Sequence, residues 1–521
     1  MSRRFAVLAA GVLVFGSAAA FVRADALSDI RQRGTLRWGA DQEGGGPYVF
    51  PRRDDPTQVQ GFEVELAELL ARRLGVRAVF SQGPWDKLPD LLDRGDIDIV
   101  LNGYEWTENH ARRYGTTIPY YLYELQLLGR RDDASLATLD DLRRAQGGRK
   151  KRVAVLGGSA AQSYLEQHFA EDVEIVSFDG NTDALRAVEL ATDGIDATLQ
   201  DLPIVVFYER GFPALRRIGE PTGLGYYVIL VRKGEKPLLA ALNDAILAML
   251  RDGSLRQVLE RYHLWNATQS RRGLEADAEG GFVAAAEAPA DVGDARAQTF
   301  VADRGWRVIQ ERTPLLLWAA GMTVKLAVLA MPLAILIGLG VAIARLYWPR
   351  LVARLLTLYV EVIRGTPLVL QLYVIFFLLP EFGLRIDAFW AAVLGLAVNY
   401  SAYEAEIYRA GLQAIPRGQL EAALALGMSR GLALRRVIVP QATRIVIPPV
   451  TNDFIALFKD TAVCSIITVV ELSKEYYIHA RSTGAIVELG IATALLYLAM
   501  SYPLSVLTNR LEQRLAGERR P

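Results

Sequence analysis

The chain has 521 residues, 51% of them hydrophobic, and its 58 Lys and Arg balance 58 Asp and Glu to a net charge of zero. That balance removes the electrostatic case for nucleic-acid binding, and the single cysteine, Cys464, excludes an internal disulfide. The length allows two or three domains. The apolar residues are unevenly spread: residues 27–265 read as a soluble protein and residues 315–515 do not.

At the N-terminus, Arg3 and Arg4 precede an uncharged run from Phe5 to Val22, and Ala24-Asp25-Ala26 has the small-x-small form of a cleavage site. Residues 1–26 are therefore expected to be an export signal. The run is also long enough to serve as an uncleaved anchor.

From 35 to 232, short β-like runs alternate with helical patterns. The strand candidates are TLRWGAD, RAVFSQG, DIDIVLNG, KRVAVLGG, VEIVSFDG, DATLQD and YYVILVRKG. Between the first two, FEVELAELLARRL puts Phe62, Leu66, Leu69, Leu70 and Leu74 on one helical face. Such alternation predicts parallel sheets flanked by helices. The segment is large for one sheet, so two lobes with a ligand cleft between them are expected. Residues 266–310 lack a period and are rich in Ala, Gly, Asp and Glu, which reads as a flexible linker.

After 315 the sequence suits a different solvent. Leu315 to Ala344 contains one charge, Lys325, and residues 365–380, 388–403 and 489–509 contain none. With a broken run at 442–470, this predicts five membrane spans within a domain at 311–516. The segments 345–354, 409–444 and 510–520 carry 3, 6 and 4 basic residues, while 381–387 and 471–484 carry 1 and 2. The basic set is expected in the cytoplasm, with the C-terminus, and residues 27–310 outside. Asn399 and Glu404 are polar residues at bilayer depth, either lining a pathway or bonded between helices.

One cytoplasmic stretch stands out. EAALALGMSRGLALRRVIVP (Glu421–Pro440) predicts a helix ended by Gly427, a turn at 428–431, and a second amphipathic piece stopping before Pro440. It resembles the EAA loop of ATP-binding-cassette importer permeases in Glu421, Ala422, Ala423 and Gly427, with Val437 and Val439 in place of the commoner Ile and Leu. YVEVIRGTPLVLQLY, NYSAYEAEIYRAGLQAIPRGQLEAALALG and PQATRIVIPPVTNDFIALFKDTAVCSIITVVEL are similar to the polar amino-acid permeases of that class. The resemblance implies an all-α transmembrane permease domain whose loop seats in a cytoplasmic ATPase. No Gly-x-x-x-x-Gly-Lys-Ser/Thr segment is present in this chain. ATP is therefore expected to be hydrolysed by a partner subunit, and this chain to bind no cofactor. A second permease subunit, a copy of this chain, is the further partner expected in a bacterial inner membrane.

Residues 27–265 resemble periplasmic binding proteins for polar amino acids, through IRQRGTLRWGAD, GFEVELAELLARRLG, WDKLPDLLDRGDIDIV, TIPYY, GIDATLQD and RDGSLRQVLERYHLW. This implies an α/β two-lobed type II domain that closes on its ligand. Carried over by position, Asp201 would hold an α-ammonium, Asp41 would read the ligand side chain and Trp85 would form an apolar wall. Asn102, Gly103, Gly158 and Ser159 would reach the ligand from loops. One departure matters: His110 occupies the place of the arginine that grips the α-carboxylate, Glu105 stands where a small hydroxyl is usual, and Ala160 replaces a threonine. Imidazole is a weaker, pH-dependent donor without the fork geometry. An atypical ligand, cationic or lacking a carboxylate, is expected, or else a low-affinity pocket. No catalytic or metal-ligand constellation is expected. The rival functions are a ligand-gated channel, which would interrupt the binding domain with a pore, and a sensor that no longer transports.

Overall fold

The computed structural model describes residues 25–144, 148–178, 180–271, 275–276, 282–283 and 305–517. The expected export signal and most of the expected linker lie outside the described residues.

Two five-stranded sheets form the N-terminal half. In the first, β1 (Thr35–Ala40) lies between β2 (Arg77–Gln82) and β3 (Ile99–Val100), followed outward by β10 (Leu230–Val231) and β4 (Gly115–Thr116). In the second, β8 (Ala197–Asp201) lies between β5 (Tyr121–Arg130) and β6 (Lys151–Leu156), with β9 (Leu215–Tyr227) and β7 (Val173–Phe178) at the edges. The lobes expected from alternation are present, but the sheets are mixed rather than parallel. β10 runs antiparallel to β3 and β4, and β5 antiparallel to β8 and β9. The cause is connectivity. The chain leaves the first lobe through β5 and returns through β9, whose Tyr227 pairs with Tyr121. Strands that cross in opposite directions cannot all be parallel. β5 is absent from the strand candidates, because it is almost wholly buried and shows no alternation, and only Tyr226 and Tyr227 of β9 fall within one, because β9 is interrupted by Pro221 and by Gly219 and Gly223.

The helix α1 (Phe62–Leu74) packs on the first sheet as its periodicity predicts, and α2 (Leu88–Arg94), α3 (Ala160–His168) and α4 (Lys236–Arg251) follow it in the lobes. In α1, Phe62, Leu66, Leu70 and Leu74 are buried, and Gly75 ends it at φ +76°. A Gly there accepts the left-handed turn without a Cβ penalty.

The C-terminal half is helical. α5 (Trp306–Tyr347) runs 42 residues, roughly 63 Å at 1.5 Å per residue, twice a bilayer core. α6 (Arg350–Gly365) meets the next helical stretch, Leu368–Phe382, at 108°. α7 (Ala388–Gln413), α8 (Arg417–Ala425), α9 (Val439–Asp460), α10 (Leu472–Thr483) and α11 (Ile486–Gly517) follow. Among the described residues two helices are long and apolar enough to cross a membrane, Trp306–Tyr347 and Ile486–Arg510, or three if the bent pair is one span. α7 is 26 residues long but carries Asn399, Glu404 and Glu406. Large apolar side chains such as Trp318, Leu336, Leu355 and Leu498 are exposed along these helices. A water-facing surface rarely presents so many, so lipid is their expected neighbour.

The two halves touch. Leu88, Leu91 and Leu92 of the first lobe share an apolar cluster with Leu372, Phe376 and Ile467 of the helical half. The Arg94 guanidinium lies 3.6 Å from the Phe376 ring centroid and donates to the carbonyls of Phe376 and, at 3.1 Å, Ile386.

Candidate functional site

A cavity of about 690 Å³ lies in the cleft between the lobes. Asp41, Trp85, Asn102, Gly103, Ser159 and Asp201 line it; Gly158 and His110 are not among its lining residues.

The strand ends build its floor. Asp41 follows β1 and accepts from Gln82 at 2.7 Å, from the Glu43 N–H at 3.0 Å and from the Trp85 N–H at 3.0 Å. Its own N–H goes to the Asn102 side chain at 2.8 Å. Asp41 thus ties three segments of the first lobe together. Trp85 is held by its indole N–H on the Asn102 carbonyl at 2.9 Å and stacks on Tyr104 at 4.8 Å. Gly103 adopts φ +62° with the Tyr48 ring 3.0 Å from where a Cβ would stand, and donates to Glu63 at 2.7 Å. Glu63 also accepts from the Tyr120 hydroxyl. Burial outweighs these donors and pushes the Glu63 carboxyl up to about 7.

From the second lobe, Asp201 at the end of β8 accepts from the Tyr227 hydroxyl, which is 2.7 Å from that of Tyr48. Ser159 caps α3 (Ala160–His168), accepting from the Gln162 N–H at 3.3 Å. Glu105 is only 6% exposed, and its carboxylate accepts from the Ala160 N–H at 3.1 Å. Burial raises both the Glu105 and Asp201 carboxyls, and the Asp201 charge raises Glu105 further. The expectation that His110 stands in for a clamp arginine meets a different geometry. His110 lies within the short helix Glu108–Arg113, its Nδ1 is 2.8 Å from the Glu105 carbonyl oxygen, and its ring packs on Tyr104. Arg112 and Arg113 are also turned away, onto Glu108 and Asp93.

Sequence reasoning missed the residues that close the cleft. Ser465, Ile466, Lys474, Tyr477 and Arg481 of the helical half line the same cavity. Lys474 pairs with Glu43 at 2.5 Å; Arg481 pairs with Glu43 at 2.6 Å and with Asp183 of the second lobe at 3.1 Å. Their signal was present: residues 474, 477 and 481 fall on one face of α10, and the two cations are the only basic residues between 471 and 484.

The segment expected at the cytoplasmic end forms α8, followed by Gly427 at φ +82°. Glu421, Ala422 and Gly427 are exposed, Ala423 is buried, and Leu426 is 84% exposed. Beneath them Leu420 packs with Leu434, Val437 and Ile438. One expectation is corrected. The second piece does not stop before Pro440 but continues through it into α9, by way of a π-helical turn at Leu434–Ile438. The wider turn absorbs the hydrogen bond that proline cannot donate. In α7, Asn399 donates to Gln371 at 3.1 Å, while Glu404 is wholly buried where Gly338 of α5 leaves room for it. Neither lines the cleft cavity.

Residues 36–264 match the bacterial extracellular solute-binding proteins, family 3. Residues 334–517 match the binding-protein-dependent transport system inner membrane component. The chain is 38% identical over 212 residues to the L-cystine transport system permease protein TcyB of Bacillus subtilis (strain 168), covering 40% of this chain and 91% of that one. It is 38% identical over 212 residues to the glutamine transport system permease protein GlnP of Escherichia coli (strain K12), covering 40% and 97%. To the arginine transport system permease protein ArtQ of Bacillus subtilis (strain 168) it is 34% identical over 203 residues, covering 39% and 93%.

Proposed function

Because the chain belongs to the binding-protein-dependent inner-membrane transport family and carries a family 3 solute-binding domain ahead of that portion, we propose that it receives and translocates its solute as one unit. It is the substrate-binding and permease subunit of an ABC importer for a polar amino acid or a related small solute. The observation that carries the mechanism is the cleft itself. Its cavity is bounded on one side by the two lobes and on the other by Lys474, Tyr477 and Arg481 of the permease. A solute leaving the lobes would meet the permease rather than bulk water.

The lobes close on the solute by bending at the two crossovers. The cleft residues Asp41, Trp85, Asn102, Gly103, Ser159 and Asp201 contact it. Five spans carry it, two copies of the permease facing each other across the pathway. The lobes sit on 376–386 and 474–484, the segments poor in basic residues, which supports an extracytoplasmic binding domain and a cytoplasmic C-terminus. On the opposite side Glu421, Ala422, Ala423 and Gly427 seat in an ATPase subunit that hydrolyses ATP, and its closure moves the spans between outward and inward access. Glu404, enclosed in the bundle, would become a polar surface of the pathway in another conformation. No observation favours a receptor that does not transport. Radiolabelled uptake into vesicles containing this chain and a neighbouring phosphate-loop ATPase tests the reading: accumulation should require ATP, and accumulation without it would sink the scheme.

A further inference from the structure

The charges around the cleft are sorted by origin. Among the described residues lining the cavity, the carboxylates Asp41, Glu43, Asp86, Glu105 and Asp201 all come from the binding lobes, and the two cations, Lys474 and Arg481, both come from the permease. Both cations are spent at the mouth, on Glu43 and Asp183. Among the described residues, the cavity lining therefore offers a ligand carboxylate no cation that is not already paired with a carboxylate of the lobes.

The other place a carboxylate could bind is the start of α3, where backbone N–H groups gather. Four of those groups already have acceptors. Ala160 donates to Glu105 at 3.1 Å, Gln162 to Ser159 at 3.3 Å, Gly158 to the Gln162 side chain at 2.8 Å and Ser159 to the Leu156 carbonyl at 3.3 Å. Glu105 thus brings the chain's own carboxylate to the position a ligand carboxylate would need. It faces Asp201 across the cleft, and the two repel. Trp85, backed by Tyr104, supplies an aromatic face.

We propose that Glu105 is a built-in carboxylate that replaces the ligand's own, so that the importer takes a small organic amine lacking a carboxyl group, the decarboxylated counterpart of a basic amino acid. The proposal rests on the reading of this cleft as the importer's ligand site. An ammonium between Glu105 and Asp201 relieves their repulsion and satisfies both by charge-assisted hydrogen bonds. Trp85 adds a cation–π contact. A free α-carboxylate would have to displace Glu105 from the Ala160 N–H and share the cleft with Asp201.

The test is calorimetry on the full chain in nanodiscs with three matched pairs: agmatine and arginine, cadaverine and lysine, putrescine and ornithine. The amine should bind about tenfold or more tightly than its amino acid in at least one pair. Glu105→Ser should narrow or reverse that preference by freeing the Ala160 N–H, and Glu105→Gln should weaken the amine about tenfold while retaining the wild-type melting temperature within a few degrees. Equal or tighter binding of the amino acids, binding by none of the six, or a preference unchanged in Glu105→Ser would overturn the proposal. ATP-driven uptake of the tight-binding members is measured separately. Binding without uptake would refute the importer mechanism and leave the ligand class standing, whereas uptake of arginine, lysine or ornithine in preference to the amines would do the reverse.

Discussion

Arg481 of the permease pairs with Glu43 of the first lobe at 2.6 Å, and both side chains are largely buried, at 12% and 13% exposure. The same guanidinium reaches Asp183 of the second lobe, so one permease side chain spans the cleft mouth. Breaking a largely buried pair by removing one partner costs about 3 kcal/mol or more. Arg481→Glu should therefore cut ATP-driven uptake at least about tenfold, with part of the loss restored by adding Glu43→Arg. Uptake by Arg481→Glu at the wild-type rate would mean that the contact plays no part in delivery.

Arg94 anchors the lobe at a second point, over the Phe376 ring and on two carbonyls. Lysine cannot reproduce that fork or the stacking. Arg94→Lys should lower uptake several-fold and leave equilibrium ligand affinity unchanged, because Arg94 is not among the residues that line the cavity. A matching loss of affinity in calorimetry would show that the residue acts within the pocket instead.

Glu63 predicts a pH dependence. Its carboxyl is raised from 4.5 to about 7 in the folded protein, mainly by burial. A folded-state pKa above the unfolded value means that the native state binds more protons between those values. The contribution is therefore full below about pH 4.5 and lost as pH rises through about 7. A shift of that size corresponds to about 3 kcal/mol. Thermal melts between pH 5 and 8 should show wild type losing stability relative to Glu63→Gln as pH rises; parallel curves would refute the assignment.

Gly427 sits at φ +82° immediately after the exposed Glu421–Ala422 face. A β-branched residue there is strained by about 1–2 kcal/mol. Gly427→Val and Glu421→Lys should both suppress ligand-stimulated ATP hydrolysis while leaving ligand binding intact. Retained coupling in both variants would exclude this segment as the ATPase contact.

Much of this was legible in the chain. The amphipathic stripe of Phe62–Leu74 specified its own buried face, and Gly427 marked the end of α8. β5 and all but the last two residues of β9 were not legible, because a strand buried on both faces shows no alternation and one broken by Gly and Pro shows no run. The course of the chain through Pro440 was not legible either, since the π-turn that tolerates it depends on packing by Leu420 and Ile415.

The sequence by itself determined the order of two unlike solvents along the chain, the lobed α/β character of the first half and the exposed alanine-rich segment of the second. Each of these follows from local periodicity and composition. Only the tertiary structure decided that Lys474 and Arg481 face Glu43 from more than 400 residues away, that His110 turns from the cavity, and that Glu105 takes up the Ala160 N–H. Long-range pairing depends on which surfaces meet when the two halves pack, and local pattern carries no record of that.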